Sequence, residues 1–141
     1  MDDNNFYMTA KTMFGLENVL ANELKSLGAM NIKVMNRAVS FKGDKGFMYK
    51  ANLNLRTALR ILKPISYFQA HNEKELYEKL YNIKWEKLLD LDNTFSTQAT
   101  THSIVFTHSK YISLIIKDAI VDRFRDNTGR RPNVNPKNPD I

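Results

Sequence analysis

A chain of 141 residues has room for one ordinary domain or two small ones sharing a core. It is 43% apolar and 26% charged, which suits a globular protein and not a disordered tail, and its net charge of +6 fits polyanionic partners. The lack of cysteine excludes disulfides, thiolate catalysis and cysteine metal sites. The opening Met1-Asp2-Asp3-Asn4-Asn5 is acidic and polar where a signal peptide would be basic and then apolar. No apolar run approaches the ~20 residues that a membrane span needs. The cytoplasm is the expected compartment.

Phe6 to Ala10 reads as a short aromatic-rich strand. After Gly15, residues Leu16, Val19, Leu20, Leu24 and Leu27 fall on one stripe and predict a helix with one buried face, closed by Gly28 in a left-handed cap. The runs 32–34 and 39–42 alternate at period two around Asn36-Arg37, the pattern of a hairpin. Asp44 can cap a second helix to about Asn52, and 58–70 turns extended again, with Pro64 implying an edge position or a bulge. The order β-α-β-β-α-β is that of a ferredoxin-like split unit.

A second unit follows. Asn72 with Glu75 forms a capping box for a helix whose buried face is Leu76, Leu80 and Ile83. Trp85 opens a short helical piece, and 95–100 alternates as a strand. Ser109 can cap a helix over 110–125, where Ile112, Ile116, Ile120 and Phe124 recur at i+4. Gly129 then releases the backbone into a loop with Arg130, Arg131 and three prolines. Proline stiffens the loop, and each arginine offers a planar fork that holds a phosphate through two hydrogen bonds. Arg130 and Arg131 are therefore the leading candidates for phosphate contact. Lys110 and Lys117 share a helix face with Arg125 on its flank, although lysines balancing Asp118 and Asp122 on a solvated helix would look the same. Asn133 completes the candidate set and, with Pro132, shapes the loop.

The order Lys117-Asp118-Ala119-Ile120-Val121-Asp122, then Arg131-Pro132-Asn133-Val134-Asn135, then Pro139-Asp140-Ile141 resembles the end of a THUMP domain in bacterial methyltransferases that modify guanine N2 of 23S ribosomal RNA. That family usually has Asp where this chain has Asn135. Gly15-Leu16-Glu17, Val39 to Gly43, Arg60-Ile61-Leu62 and Ile83 with Trp85 are similar to the same family, so the resemblance covers nearly the whole chain. It implies an α+β architecture: a ferredoxin-like split unit packed against a THUMP α/β domain that stops before its last strand or strands. The ferredoxin-like part would be 1–55, its last strand reaching about 70, and the THUMP part 56–141. The resemblance also implies an RNA-binding front end to a Rossmann-like domain that binds S-adenosylmethionine. This chain has no G-x-G turn for such a domain. Asn135-Pro136-Lys137-Asn138 lacks the second proline and the aromatic of the Asn-Pro-Pro-Tyr motif that holds a target amine. The expectation is a fragment that recognises RNA and carries no catalytic residue, cofactor or metal of its own. Two alternatives stand: the THUMP module of another RNA-modifying enzyme, such as a thiouridine synthase, or a ferredoxin-like sensing or oligomerisation domain without RNA.

Other features have plainer explanations. Gly43-Asp44-Lys45-Gly46 resembles a nucleotide-clamping GxxG loop but reads better as a strand-to-helix turn. His71, His102 and His108 are too scattered for a metal site. Asp90-x-Asp92-Asn93 lacks the glycine and the final glutamate of a calcium loop. Asp118 and Asp122 suit surface ion pairing better than paired acid–base work. Phe6, Tyr7, Phe41, Trp85, Phe95 and Phe124 fall mostly on predicted buried faces. Without an exposed aromatic pair, recognition by RNA shape and phosphate contact is expected.

Overall fold

A computed structural model describes residues 4–141, which divide between Ile65 and Ser66 into two compact units. The acidic start at Met1 to Asp3 lies outside the described residues. The first unit runs β1 (Phe6–Lys11), α1 (Glu17–Leu27), β2 (Met30–Met35), β3 (Ala38–Gly43), α2 (Lys45–Asn54) and β4 (Arg60–Leu62). Its antiparallel sheet has the order β2-β3-β1-β4. Alternation decides the faces. Met8, Ala10, Val39 and Phe41 are fully buried against Leu20 and Leu24 of α1, while Phe47 of α2 meets Phe41 edge-on at 5.8 Å.

Local chemistry sets the element ends. Gly28 takes φ 97° and donates its N–H to Lys25, and the Asp44 carboxylate accepts the Phe47 N–H at 2.6 Å. Arg37, at φ 54°, turns the hairpin, and its N–H reaches Glu17 Oε1 at 3.0 Å. The edge strand β2 is irregular: its register shifts between Met30 and Lys33, with Asn31 at φ 51°. Two expectations change. Leu16 and Val19 of the predicted stripe are exposed, because only Leu20 and Leu24 reach the sheet. The strand expected over 58–70 shrinks to Arg60–Leu62, and Pro64, with no N–H to give a ladder, follows it.

The second unit runs α3 (Glu73–Tyr81), a 3-10 turn (Trp85–Lys87), β5 (Thr94–Phe95), α4 (Ser109–Thr128) and β6 (Asn133–Val134), with β5 and β6 parallel. Leu80, Trp85 and Phe95 pack on the buried side of α4, and the Trp85 indole N–H is satisfied by the Leu80 carbonyl at 2.7 Å. The Glu75 N–H donates to Asn72 Oδ1 at 2.8 Å, while the Glu75 carboxylate reaches back to the His71 N–H at 2.9 Å.

The strand expected over 95–100 stops at Phe95. Beyond it Thr97 bonds to α4 instead: its hydroxyl donates to the Ser113 carbonyl at 2.9 Å, and the Ser113 hydroxyl donates to the Thr97 carbonyl at 2.7 Å. Ser109 is the first helical residue rather than the cap, since His108 precedes the helix and no side chain caps it. The buried side of α4 is Ile112, Ile115, Ala119, Ile120, Val121 and Phe124, with Ile116 only half-buried. A strict i+4 repeat drifts around a 3.6-residue helix, so the core takes i+3 partners as well.

Candidate nucleic-acid interface

The loop after α4 is fixed at both ends. Gly129 takes φ 72° and donates its N–H to the Arg125 carbonyl at 2.8 Å. The Thr128 hydroxyl donates to the Phe124 carbonyl at 2.7 Å and accepts the Arg130 N–H at 3.3 Å. Pro132 is fully buried and pins the far end, after which β6 pairs with β5 and the Asn135 N–H donates to the Phe95 carbonyl at 3.0 Å. Between these anchors Arg130 and Arg131 are exposed. Arg130 meets Asp92 at 3.6 Å, but the two side chains are 70% and 93% exposed, so the pair is worth about 0.5 kcal/mol or less. Among the described residues Arg131 has no ion-pair partner.

Asn135, where the resembled family has Asp, builds the next turn. Its Oδ1 accepts the Asn138 N–H at 3.1 Å, and its Nδ2 donates to the Asn138 carbonyl at 2.9 Å, a donation no carboxylate could make. The turn delivers Asp140 to β5. Its carboxylate accepts the Thr94 N–H and hydroxyl, each at 2.8 Å, and these bonds hold its pKa below the usual range.

The cations of α4 occupy different settings. Lys110 is exposed in the first turn. Lys117 is one-third exposed and bonded to Asp118 at 2.7 Å. Arg125 touches Asp122 at 3.4 Å. Asp122 also accepts the Tyr77 hydroxyl at 2.7 Å, and burial followed by that bond pushes the phenol up to about 12. Glu73, Asp118 and Asp122 line a groove of about 420 Å³ between α3 and α4 together with Lys74, Tyr77 and Tyr111. Asp118 and Asp122 of that groove are the partners of Lys117 and Arg125, so its carboxylates are partly balanced by the cations of α4. Asn133 is exposed on β6 beside the arginines.

Some features escaped the sequence reading. Arg123 forks onto Glu86 at 2.9 and 2.8 Å and donates to the Tyr81 carbonyl at 3.0 Å, a structural clasp between α4 and the 3-10 turn. That bond holds the Glu86 carboxyl at about 2. Exposed aromatics do exist: Tyr7, Phe14, Tyr67 and Phe68 are 52%, 76%, 84% and 39% exposed, whereas Phe41, Trp85, Phe95 and Phe124 are buried. Tyr67 and Phe68 follow Pro64 in a stretch without alternation, so no periodicity marked their exposure. Among the described residues no cluster of His, Asp and Glu could hold a metal, and no helix is long and apolar enough to cross a membrane. Asp44 serves as a helix cap, and Asn93 Oδ1 accepts the Asp90 N–H at 3.0 Å in a plain turn.

Comparison with known proteins adds the following. Residues 7–62 match the RlmL ferredoxin-like domain, and residues 70–141 match the THUMP domain. The chain is 37% identical over 135 residues to a "Ribosomal RNA large subunit methyltransferase K/L" of Buchnera aphidicola subsp. Schizaphis graminum (strain Sg), covering 96% of this chain and 19% of that protein. A solved protein described as a methyltransferase, in complex with SAH, superposes with a TM-score of 0.81 at 31% identity, over 93% of this chain and 36% of its own. Another, from Listeria monocytogenes str. 4b F2365 and described as a predicted N6-adenine-specific DNA methylase, gives 0.81 at 32% identity, over 92% and 34%. TrmN from Thermus thermophilus shares the fold, with a TM-score of 0.65 at 20% identity, over 94% and 39%.

Proposed function

The chain belongs to the THUMP domain family, carried behind an RlmL ferredoxin-like domain, and on that premise we propose that it is the RNA-binding front portion of a methyltransferase modifying guanine N2 of 23S ribosomal RNA. The observation that carries this reading is the 37% identity to a large-subunit ribosomal RNA methyltransferase across both domains in the same order. The chain spans about a fifth of that relative and about a third of the solved ones, so in this reading methyl transfer belongs to the part of such proteins that these residues do not match. SAH is what S-adenosylmethionine becomes after giving up its methyl group, and its presence in a similar structure supports that donor for the whole enzyme. The cytoplasm is then the working compartment.

In this reading the ferredoxin-like part precedes the THUMP part, with the boundary between about 55 and 70. Arg130 and Arg131 are the first phosphate contacts, because a pinned loop presents two forks with little backbone left to order at binding. Lys110 and Asn133 extend the contact. Lys117 and Arg125 join it by giving up Asp118 and Asp122. The relative described as a DNA methylase favours a second reading, in which the target is duplex DNA. The test is affinity of the chain for a structured 23S fragment and for a DNA duplex of equal length, over about 50 to 200 mM salt. RNA preference with a steep loss of affinity in salt is expected. DNA preference, or an affinity indifferent to salt, would overturn the proposal.

A further inference from the structure

Both helices of the first unit lie on one face of its sheet. Among the described residues no helix of that unit covers the other face, and the register fixes its residues. Tyr7 stands opposite Lys42, Lys33 opposite Ser40, and Lys11 opposite Arg60. Tyr7, Lys11 and Lys33 are exposed. A solvated sheet face ordinarily mixes its charges, yet the strands put Lys11, Lys33, Lys42 and Arg60 here and no carboxylate. Such a face complements a polyanion. Lys42 and Arg60 already hold partners, so Lys11 and Lys33 carry the argument.

We propose that this helix-free face is a second RNA-contact surface, which takes a single-stranded stretch by holding phosphates at Lys11 and Lys33 and stacking one base on Tyr7. It rests on the RNA reading above. Four-stranded sheets with aromatics on their central strands bind single strands in this manner, stacking two or three bases. Here the central strand β1 supplies one exposed ring and β3 supplies none, so phosphate contact dominates and sequence preference is slight.

The experiment uses the 141-residue chain with an oligouridine of about ten nucleotides, within the span one such module covers, and with a structured 23S fragment. The variants are K11A/K33A, Y7A, Y7F and R130A/R131A. K11A/K33A should lower oligouridine affinity and reduce the slope of log affinity against log salt by about 1.4, near 0.7 per phosphate contact on a single strand. Y7A should weaken oligouridine about fivefold or more, while Y7F, which keeps the ring, should bind as the parent chain does. R130A/R131A should act mainly on the structured fragment. Unchanged affinity and slope in K11A/K33A, with the parent chain binding RNA, would overturn this inference alone. A parent chain that binds neither RNA would overturn the RNA reading with it.

Discussion

Arg123, inside α4, and Arg130, in the loop after it, do opposite work. Arg123 is 15% exposed and fully engaged with Glu86 and Tyr81, whereas Arg130 is 70% exposed and loosely placed near Asp92. Arg123→Ala should therefore lower stability by about 1 to 2 kcal/mol in chemical denaturation, since it strips the Tyr81 carbonyl of a charged donor. R130A/R131A should leave the melting temperature in place and cut RNA affinity by about 1 to 2 kcal/mol per contact, beyond the loss in the exposed control Lys25→Ala. Equal small losses at both places would mean that only net charge matters. Glu86 gives a pH test. Its folded pKa of about 2 lies below its ordinary value, so its contribution is present above about pH 4.3 and fades as pH falls toward 2. Glu86→Gln should flatten that part of the acid limb, read as denaturation midpoints at successive pH values. The sequence showed which residues are basic. It could not show which are already engaged, because the partner of Arg123 is 37 residues away in the chain and only folding brings the two together.

At the scale of elements, two glycines separate strain from crowding. Gly129 sits at φ 72° with open space where a Cβ would go, so Gly129→Ala should cost the left-handed penalty alone, about 1 kcal/mol. A Cβ at Gly43 would meet Phe47 Cδ1 at 2.8 Å, and that ring is held against Phe41, so Gly43→Ala should cost about 1 to 3 kcal/mol through overpacking. Thermal melts of the two variants check the order. Elements whose signals are local were legible: the β2–β3 hairpin from its alternation, α2 from Asp44, α3 from Asn72, and the ends of α1 and α4 from Gly28 and Gly129. The extent of β4 and β5 was not. A strand ends where its neighbour ends, and the parallel partner of β5 is β6, far along the chain. Past Phe95 a pair of hydroxyl bonds between Thr97 and Ser113 outweighs the strand pattern.

Across the whole chain, the ordered series of short motifs was more informative than any one of them, and it led to both domains. What it could not supply was the surface, where cations, carboxylates and aromatic rings sort onto faces only once the chain is folded: an acidic groove beside α4, a cationic face on the first sheet. With no glycine-rich turn in its 141 residues, the chain should show no heat of binding when titrated with S-adenosylmethionine. Tight binding would reassign the domains. The irregular register of β2 bears on behaviour at high concentration. An outermost strand with unpaired amides can recruit a second molecule and grow into fibrils. In β2 the left-handed Asn31 and the slipped register spoil the regular spacing of those amides, so a straight incoming strand finds no ladder to extend. The irregularity makes β2 a poor template for ordered self-assembly.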